Sequence, residues 1–210
     1  MNECDAAFKQ EVVVSCCDAL ERYGFIRYGK LNVDWPLDDG YHCWVGLNTG
    51  LYRDHVHINP FSGIHVIPID KLWKSLKVGK YTGKYDRRVA TYAIHLGTLM
   101  PKERAFRFTR HTILREEAER LATLYLSAAV PFAKSISSYE ALLPHLKSRV
   151  RSLGAFPERV AACLFLMGRT SEALSFTKRF LEDHKDYFEG FALPFIEMIE
   201  SKGQIASLQT

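Results

Sequence analysis

The hydrophobic period of this chain changes twice, and each change limits which secondary structure a segment can hold. Residues 5–23 place Phe8, Val12, Cys16 and Leu20 four apart, with Val13 widening the stripe, which is the pattern of an amphipathic helix ending at Gly24. Residues 25–33, 41–48 and 55–58 are then short and rich in β-branched or aromatic residues, with turn formers at 36–40 and 49–50 between them. The spacing predicts a fourth strand over 64–67, after a turn at Asn59, Pro60 and Gly63. Asp70 is expected to cap a brief helix over 71–77, and a strand over 91–99 is expected to pair with one over 105–108.

From Leu114 the period is helical to the end. Helices are expected over 114–133, from a capping box of Ser137 and Glu140 to about 151, from Pro157 to Met167, over 172–184 and over 187–201, with a frayed tail from Gly203. Strands joined by such short links must be antiparallel, because parallel neighbours need long crossovers. The fold class is therefore α+β: an N-terminal helix, an antiparallel sheet of four to six strands, then an all-helical C-terminal half. The class changes near Thr112, giving a helix-plus-sheet region (1–111) and a helical region (112–210). No Pro-, Gly- or Ser-rich linker separates them, so one compact body is expected.

At 210 residues, 47% hydrophobic and 25% charged, the chain has ordinary globular composition. No run approaches the about 18 apolar residues that a membrane span requires. The polar, acidic start (Met1, Asn2, Glu3, Cys4, Asp5) lacks the features of a secretion signal, so a cytoplasmic protein with no membrane partner is expected. Five cysteines form an odd set without CxxC spacing, which fits reduced thiols used as small apolar residues.

Charge is segregated. Residues 71–115 carry twelve Lys and Arg against two acids, a local balance of +10 in a chain whose net charge is +4. Lys71, Lys74, Lys77, Lys80, Lys84, Arg87, Arg88, Arg104, Arg107 and Arg110 are interleaved with Trp73, Tyr81 and Tyr85. Such a stretch suits an acidic protein partner, or a nucleic acid whose phosphates meet the bases while its rings stack. It is equally the composition of a solvated face whose bases pair with the acids of residues 1–70 or with Glu116, Glu117 and Glu119. Trp73, Phe106 and Phe108 alternate with charges, so some of these three are expected in the core rather than as stacking platforms.

His55 and His57 share one face of a strand, with Asn59 next along and His42 and His65 nearby. Two histidines at i and i+2 are the beginning of a metal site, which needs a third ligand such as Asp54 and would then suit a metal-dependent hydrolase. Nucleophile elbows, HExxH and phosphate loops are absent, so the expectation is a non-enzymatic protein without a cofactor.

Tyr23-Gly24-Phe25-Ile26, the run from Tyr41 to Asn48, Tyr92-Ala93-Ile94-His95-Leu96-Gly97, Val130-Pro131-Phe132 and Ser138 to Leu143 occur in an order that resembles a family of small bacterial α+β domains. Some members of that family are similar to immunity proteins of polymorphic toxin systems. The resemblance implies a protein that binds and blocks a toxin, and it brings no catalytic residues. A second, local pattern (Ala162, Leu164, Leu166, Met167, Gly168, then Glu172, Ala173, Leu174) is similar to one tetratricopeptide helical pair. No second copy follows at the repeat period, so a lone helical hairpin is expected.

Overall fold

In a computed structural model, residues 3–38, 40–76, 89–150 and 156–207 are described. The chain is α+β, with an N-terminal helix, an antiparallel sheet and a helical C-terminal half. Contacts divide it into two compact units, residues 1–65 with 87–137 and residues 66–86 with 138–210. The change of class near Thr112 is thus not where the contacts divide: the helices just after it belong with the sheet.

In the first unit, helix α1 (Ala6–Arg22) starts where the Asp5 carboxylate accepts the Phe8 N–H at 2.8 Å, and ends before Gly24 at φ +95°. The strands are β1 (Ile26–Arg27), β2 (Val33–Asp38), β3 (Tyr41–Leu51), β4 (Val56–Val66), β5 (Tyr92–His95) and β6 (Phe106–Phe108). They form one antiparallel sheet ordered β1-β2-β3-β4-β5, and β6 also pairs with β4. Phe61 to Ile64 pair with β5, and Val56 to Ile58 pair with β6, so those two short strands lie end to end along one flank of β4.

Several strand expectations change. The run 25–33 breaks at a turn where Tyr28 N–H bonds Asn32 O and Gly29 takes φ +69°, leaving only two residues for β1. Pro36 lies inside β2, in a stretch that β1, which reaches only Val33 and Asp34, leaves as a sheet edge. Thr49 and Gly50 continue β3. Pro60 and Gly63 lie within one long β4 and make no turn. Pro60 falls in the gap between the β6 and β5 registers, and Gly63 is where β5 comes closest: a Cβ there would sit 1.9 Å from Tyr92 O. The strand over 91–99 stops at His95 and tightens into a 3₁₀ turn at Leu96–Thr98.

Helix α3 (Leu114–Leu124) continues through a wide π-turn (Tyr125–Ala129) into α4 (Val130–Ser135). Pro131 cannot donate to the carbonyl one turn back, and the wide turn ahead of it absorbs that defect. These helices and α1 cover one face of the sheet, burying Val12, Cys16, Leu20, Val33, Cys43, Val45, Val56, Ile58, Phe106, Phe108 and Leu121. Burial of that size, at about 1.5–3 kcal/mol for each large side chain, is what holds the layer together.

The second unit contains α2 (Ile67–Ser75), α5 (Tyr139–Arg149), α6 (Pro157–Leu166), α7 (Thr170–Asp183) and α8 (Lys185–Ser207). Val66 is the N-cap of α2, and Asp70 sits in its first turn without capping it, because Pro68 sets the start one turn earlier. Ser138, not Ser137, caps α5 through the Ala141 N–H. Gly168 at φ +75° closes α6 with a Schellman-type pair of bonds to Phe165 O and Leu164 O, producing the expected α6–α7 hairpin. Residues expected to fray from Gly203 onward are helical to Ser207. Phe176, Phe180, Phe188, Phe191 and Phe195 form a ladder with ring separations of 4.9–5.9 Å. Among the described residues no helix is long and apolar enough to cross a membrane.

Candidate functional site

The face of the sheet turned away from α1 and α3 carries the polar and aromatic residues of the strands. Strand alternation sends Cys43, Val45, Val56 and Ile58 to the helices and Asp34, His42, Trp44, His57, Asn59 and Phe61 to the other side. Register then assembles a row across four strands. Asp34 of β2 lies opposite Trp44 of β3, the Trp44 ring covers Gly46 and reaches toward Phe61 of β4, and Phe61 lies opposite His95 of β5. The Phe61 and His95 rings meet edge to face at 5.1 Å. His95 Nδ1 accepts the Gly97 N–H at 3.0 Å, which places its proton on Nε2.

His42 pairs with the buried Asp34 (Nδ1 to Oδ2, 3.3 Å). Register and alternation bring this row together from segments far apart in sequence, and no local signal announces it. His65 is buried, with Nδ1 2.6 Å from Val89 O, and so does not join His55 and His57.

A second cluster gathers at the β3–β4 turn. Tyr52, half exposed at 54%, stacks on His55 with ring centroids 4.6 Å apart and planes 6° from parallel. His55 Nδ1 lies 2.8 Å from Asp54 Oδ1, Arg107 of β6 ion-pairs with Asp54 Oδ2, and His57 Nε2 bonds Asn59 Oδ1 at 2.9 Å. The His55 hydrogen bond, aided by Arg107, holds the Asp54 carboxyl below the usual aspartate range. Arg53 pairs with Glu3, and the Cys4 N–H donates to Arg53 O, tying the turn to the N-terminus.

One ring nitrogen of His55 and one of His57 are thus engaged, by Asp54 and Asn59. Among the described residues no three His, Cys, Asp or Glu side chains converge into a group that could hold a metal. The cysteines of both units are buried and free. Burial pushes the thiols of Cys43 and Cys163 up to about 12 and that of Cys17 to about 11, so these three are not poised as thiolate nucleophiles.

The basic stretch falls partly in each unit and partly outside the described residues. Lys77, Lys80, Tyr81, Lys84, Tyr85, Arg87 and Arg88 lie outside the described residues. Lys71, Lys74 and Trp73 belong to α2 in the second unit, where Trp73 packs 6.0 Å from Phe191. Arg104, Arg107 and Arg110 belong to the first. There Arg107 pairs with Asp54, while Arg110 pairs with Asp5 at 3.0 Å and lies over the Phe8 ring at 4.5 Å. The aliphatic stem of Arg104 lies beside Gly97. Phe106 and Phe108 are fully buried core residues. Two of the first unit's bases, Arg107 and Arg110, are therefore paired with acids from residues 1–70.

Beside the sheet, a cleft of about 450 Å³ opens between α1 and β3. Val13, Val33, Val45 and Leu47 contribute apolar surface to it, and Lys9, Gln10, Asn32, Asn48 and Thr49 contribute polar groups. No family model, curated protein or solved structure matches the chain.

Proposed function

We propose that this chain is a non-enzymatic protein-binding protein that, in the manner of an immunity protein, holds and blocks a partner protein. The observation that carries the reading is the outer sheet face, where Trp44, Phe61, His95 and the Tyr52–His55 stack present aromatic surface while the nearby charges close on one another as Asp34–His42 and Asp54–Arg107. Aromatic and arginine side chains with internally balanced charge are the composition of protein–protein contact centres.

A nucleic-acid surface would instead expose uncompensated bases to the phosphates. Buried thiols, and histidines that each hold a neighbouring side chain through one ring nitrogen, favour binding over catalysis. The partner is recognised by ring packing and hydrogen bonding, so net acidity of its surface is not required.

The test is co-purification of the tagged chain from its host beside a variant carrying Tyr52→Ala and Arg107→Glu, both checked for equal melting temperature. A stoichiometric partner held by the natural chain and weakened at least about tenfold in the variant is expected, the usual cost of removing a contact centre. An undiminished partner would contradict this face as the site. No protein partner, with salt-sensitive binding of single-stranded RNA or DNA, would replace the reading by nucleic-acid binding.

A further inference from the structure

Strand β3 is eleven residues long, but β2 covers only part of one flank. The register places Trp44 opposite Asp34, so Val33, the first residue of β2, faces Val45. Residues 46–51 run on past the end of β2, and among the described residues no strand pairs with that flank. The turn bond from Tyr52 N to His55 O shows that Tyr52 turns its backbone toward β4. Alternation along an antiparallel ladder therefore turns the N–H and C=O groups of Leu51, Thr49 and Leu47 outward, to the empty side.

The sheet protects its other edges. Proline interrupts β2 at Pro36 beyond the reach of β1, β1 has only two residues, and β5 and β6 have four and three. Short strands, proline and charge are how natural sheets discourage an added strand. Residues 46–51 (Gly-Leu-Asn-Thr-Gly-Leu) have none of these devices. Their flank opens instead into the 450 Å³ cleft, whose far wall is α1.

We infer that this flank is a strand-addition site, filled by an extended peptide segment of the partner running antiparallel to β3 in line with β2. The inference rests on the protein-binding reading and names the element the partner contributes. Main-chain bonds to Leu47, Thr49 and Leu51 supply affinity, and the cleft wall supplies selectivity. Side chains on the helix side of the added strand meet Val13, Val33 and Leu47, so alternate positions are apolar. Between them Lys9, the cleft's only ionised group among the described residues, meets an acidic side chain, while Gln10 and Asn32 supply amide groups. The space admits one strand, of about 20 Å for six residues. A second copy of the chain would bring its own α1 against the cleft and set Lys9 against Lys9, so a free peptide segment is the better fit.

Phage-displayed random seven-residue peptides, selected on the natural protein and then measured against Thr49→Pro and Thr49→Lys, test this. The proline removes an outward N–H without removing a bond to β4, and the lysine adds an edge guard without touching the backbone. Enrichment of peptides with apolar residues at alternate positions and an acid between them, weakened about tenfold or more by both variants, is expected. Failure to enrich, or enriched peptides that bind both variants as well as the natural protein, would overturn the inference. So would a dimer of the natural chain that Thr49→Pro dissociates, which would assign the flank to a second copy. A co-purified partner that both Thr49 variants retain would overturn strand addition and leave the protein-binding reading intact. Absence of any protein partner would overturn that reading as well.

Discussion

The two flanks of the β3–β4 hairpin have opposite fates. Along β4 the outer flank is filled by β6 and then β5, and the two irregular residues fall where that packing tolerates or needs them: Pro60 in the gap, Gly63 at the closest approach. Along β3 the outer flank is filled, among the described residues, only as far as Val45, and the rest borders a cleft. The same hairpin thus has one flank consumed by folding and one left available. A backbone change should therefore cost stability on the first flank and recognition on the second.

The sharpest contrast comes from Gly63→Ala. Its Cβ would meet the backbone of Tyr92 and Ala93 with nowhere to move, so β5 must separate from β4. A loss of more than about 3 kcal/mol in chemical denaturation is expected. A loss below about 1 kcal/mol would mean that the filled flank is not tightly packed there.

Proline at opposed positions measures the comparison directly. The register set by the turn places Ile58 across from Thr49, and Ile58 also pairs with Phe106 of β6. Ile58→Pro should cost about 3 kcal/mol or more, with Ile58→Ala separating the lost side chain from the lost hydrogen bond. Thr49→Pro should change stability by less than about 1 kcal/mol, because its N–H has no strand to leave. Equal costs at the two positions would break the comparison.

Tyr125 fastens the hairpin to the helices. The single proton of its buried hydroxyl is shared between Gly46 O (3.0 Å) and Phe61 O (2.9 Å), one carbonyl from each strand. Tyr125→Phe removes the one donor these carbonyls share and should cost about 1–3 kcal/mol. Burial raises the pKa of this phenol well above its usual value, so the bond should persist into alkaline solution and be lost only as the protein unfolds.

The smallest effect lies at the start of α1. The Phe8 N–H holds the Asp5 carboxyl below its ordinary value of 3.8, so Asp5 is more acidic folded than unfolded. Its contribution is present above the unfolded value and lost as pH falls through the lower, folded one. Asp5→Asn keeps the acceptor and should flatten that part of an acid melt; an unchanged acid limb would remove Asp5 from the account.

Helical features were legible because their signals are local. The α1 stripe, the stop at Gly24 and the αL close at Gly168 are each set by neighbours within a turn. The sheet was legible in class and sense but not in detail. Pro60 and Gly63 read locally as a turn, yet one sits in a gap between two partner strands and the other at the closest approach of one of them, β5, and that register is fixed by segments far along the chain. The same non-locality hid the candidate site. The basic stretch was visible as composition, but the pairing of Arg107 with Asp54 and Arg110 with Asp5 was not, and neither was the row from Asp34 to His95.

Amide hydrogen exchange of β3, followed residue by residue in the free protein and with a selected peptide bound, tests the open flank most directly. In the free protein the amides of Leu47, Thr49 and Leu51 should exchange faster than those of Asn48 and Gly50, which face β4, and peptide should slow the first set to match the second. Uniformly slow exchange along residues 47–51 without peptide would show the flank already occupied and contradict the account.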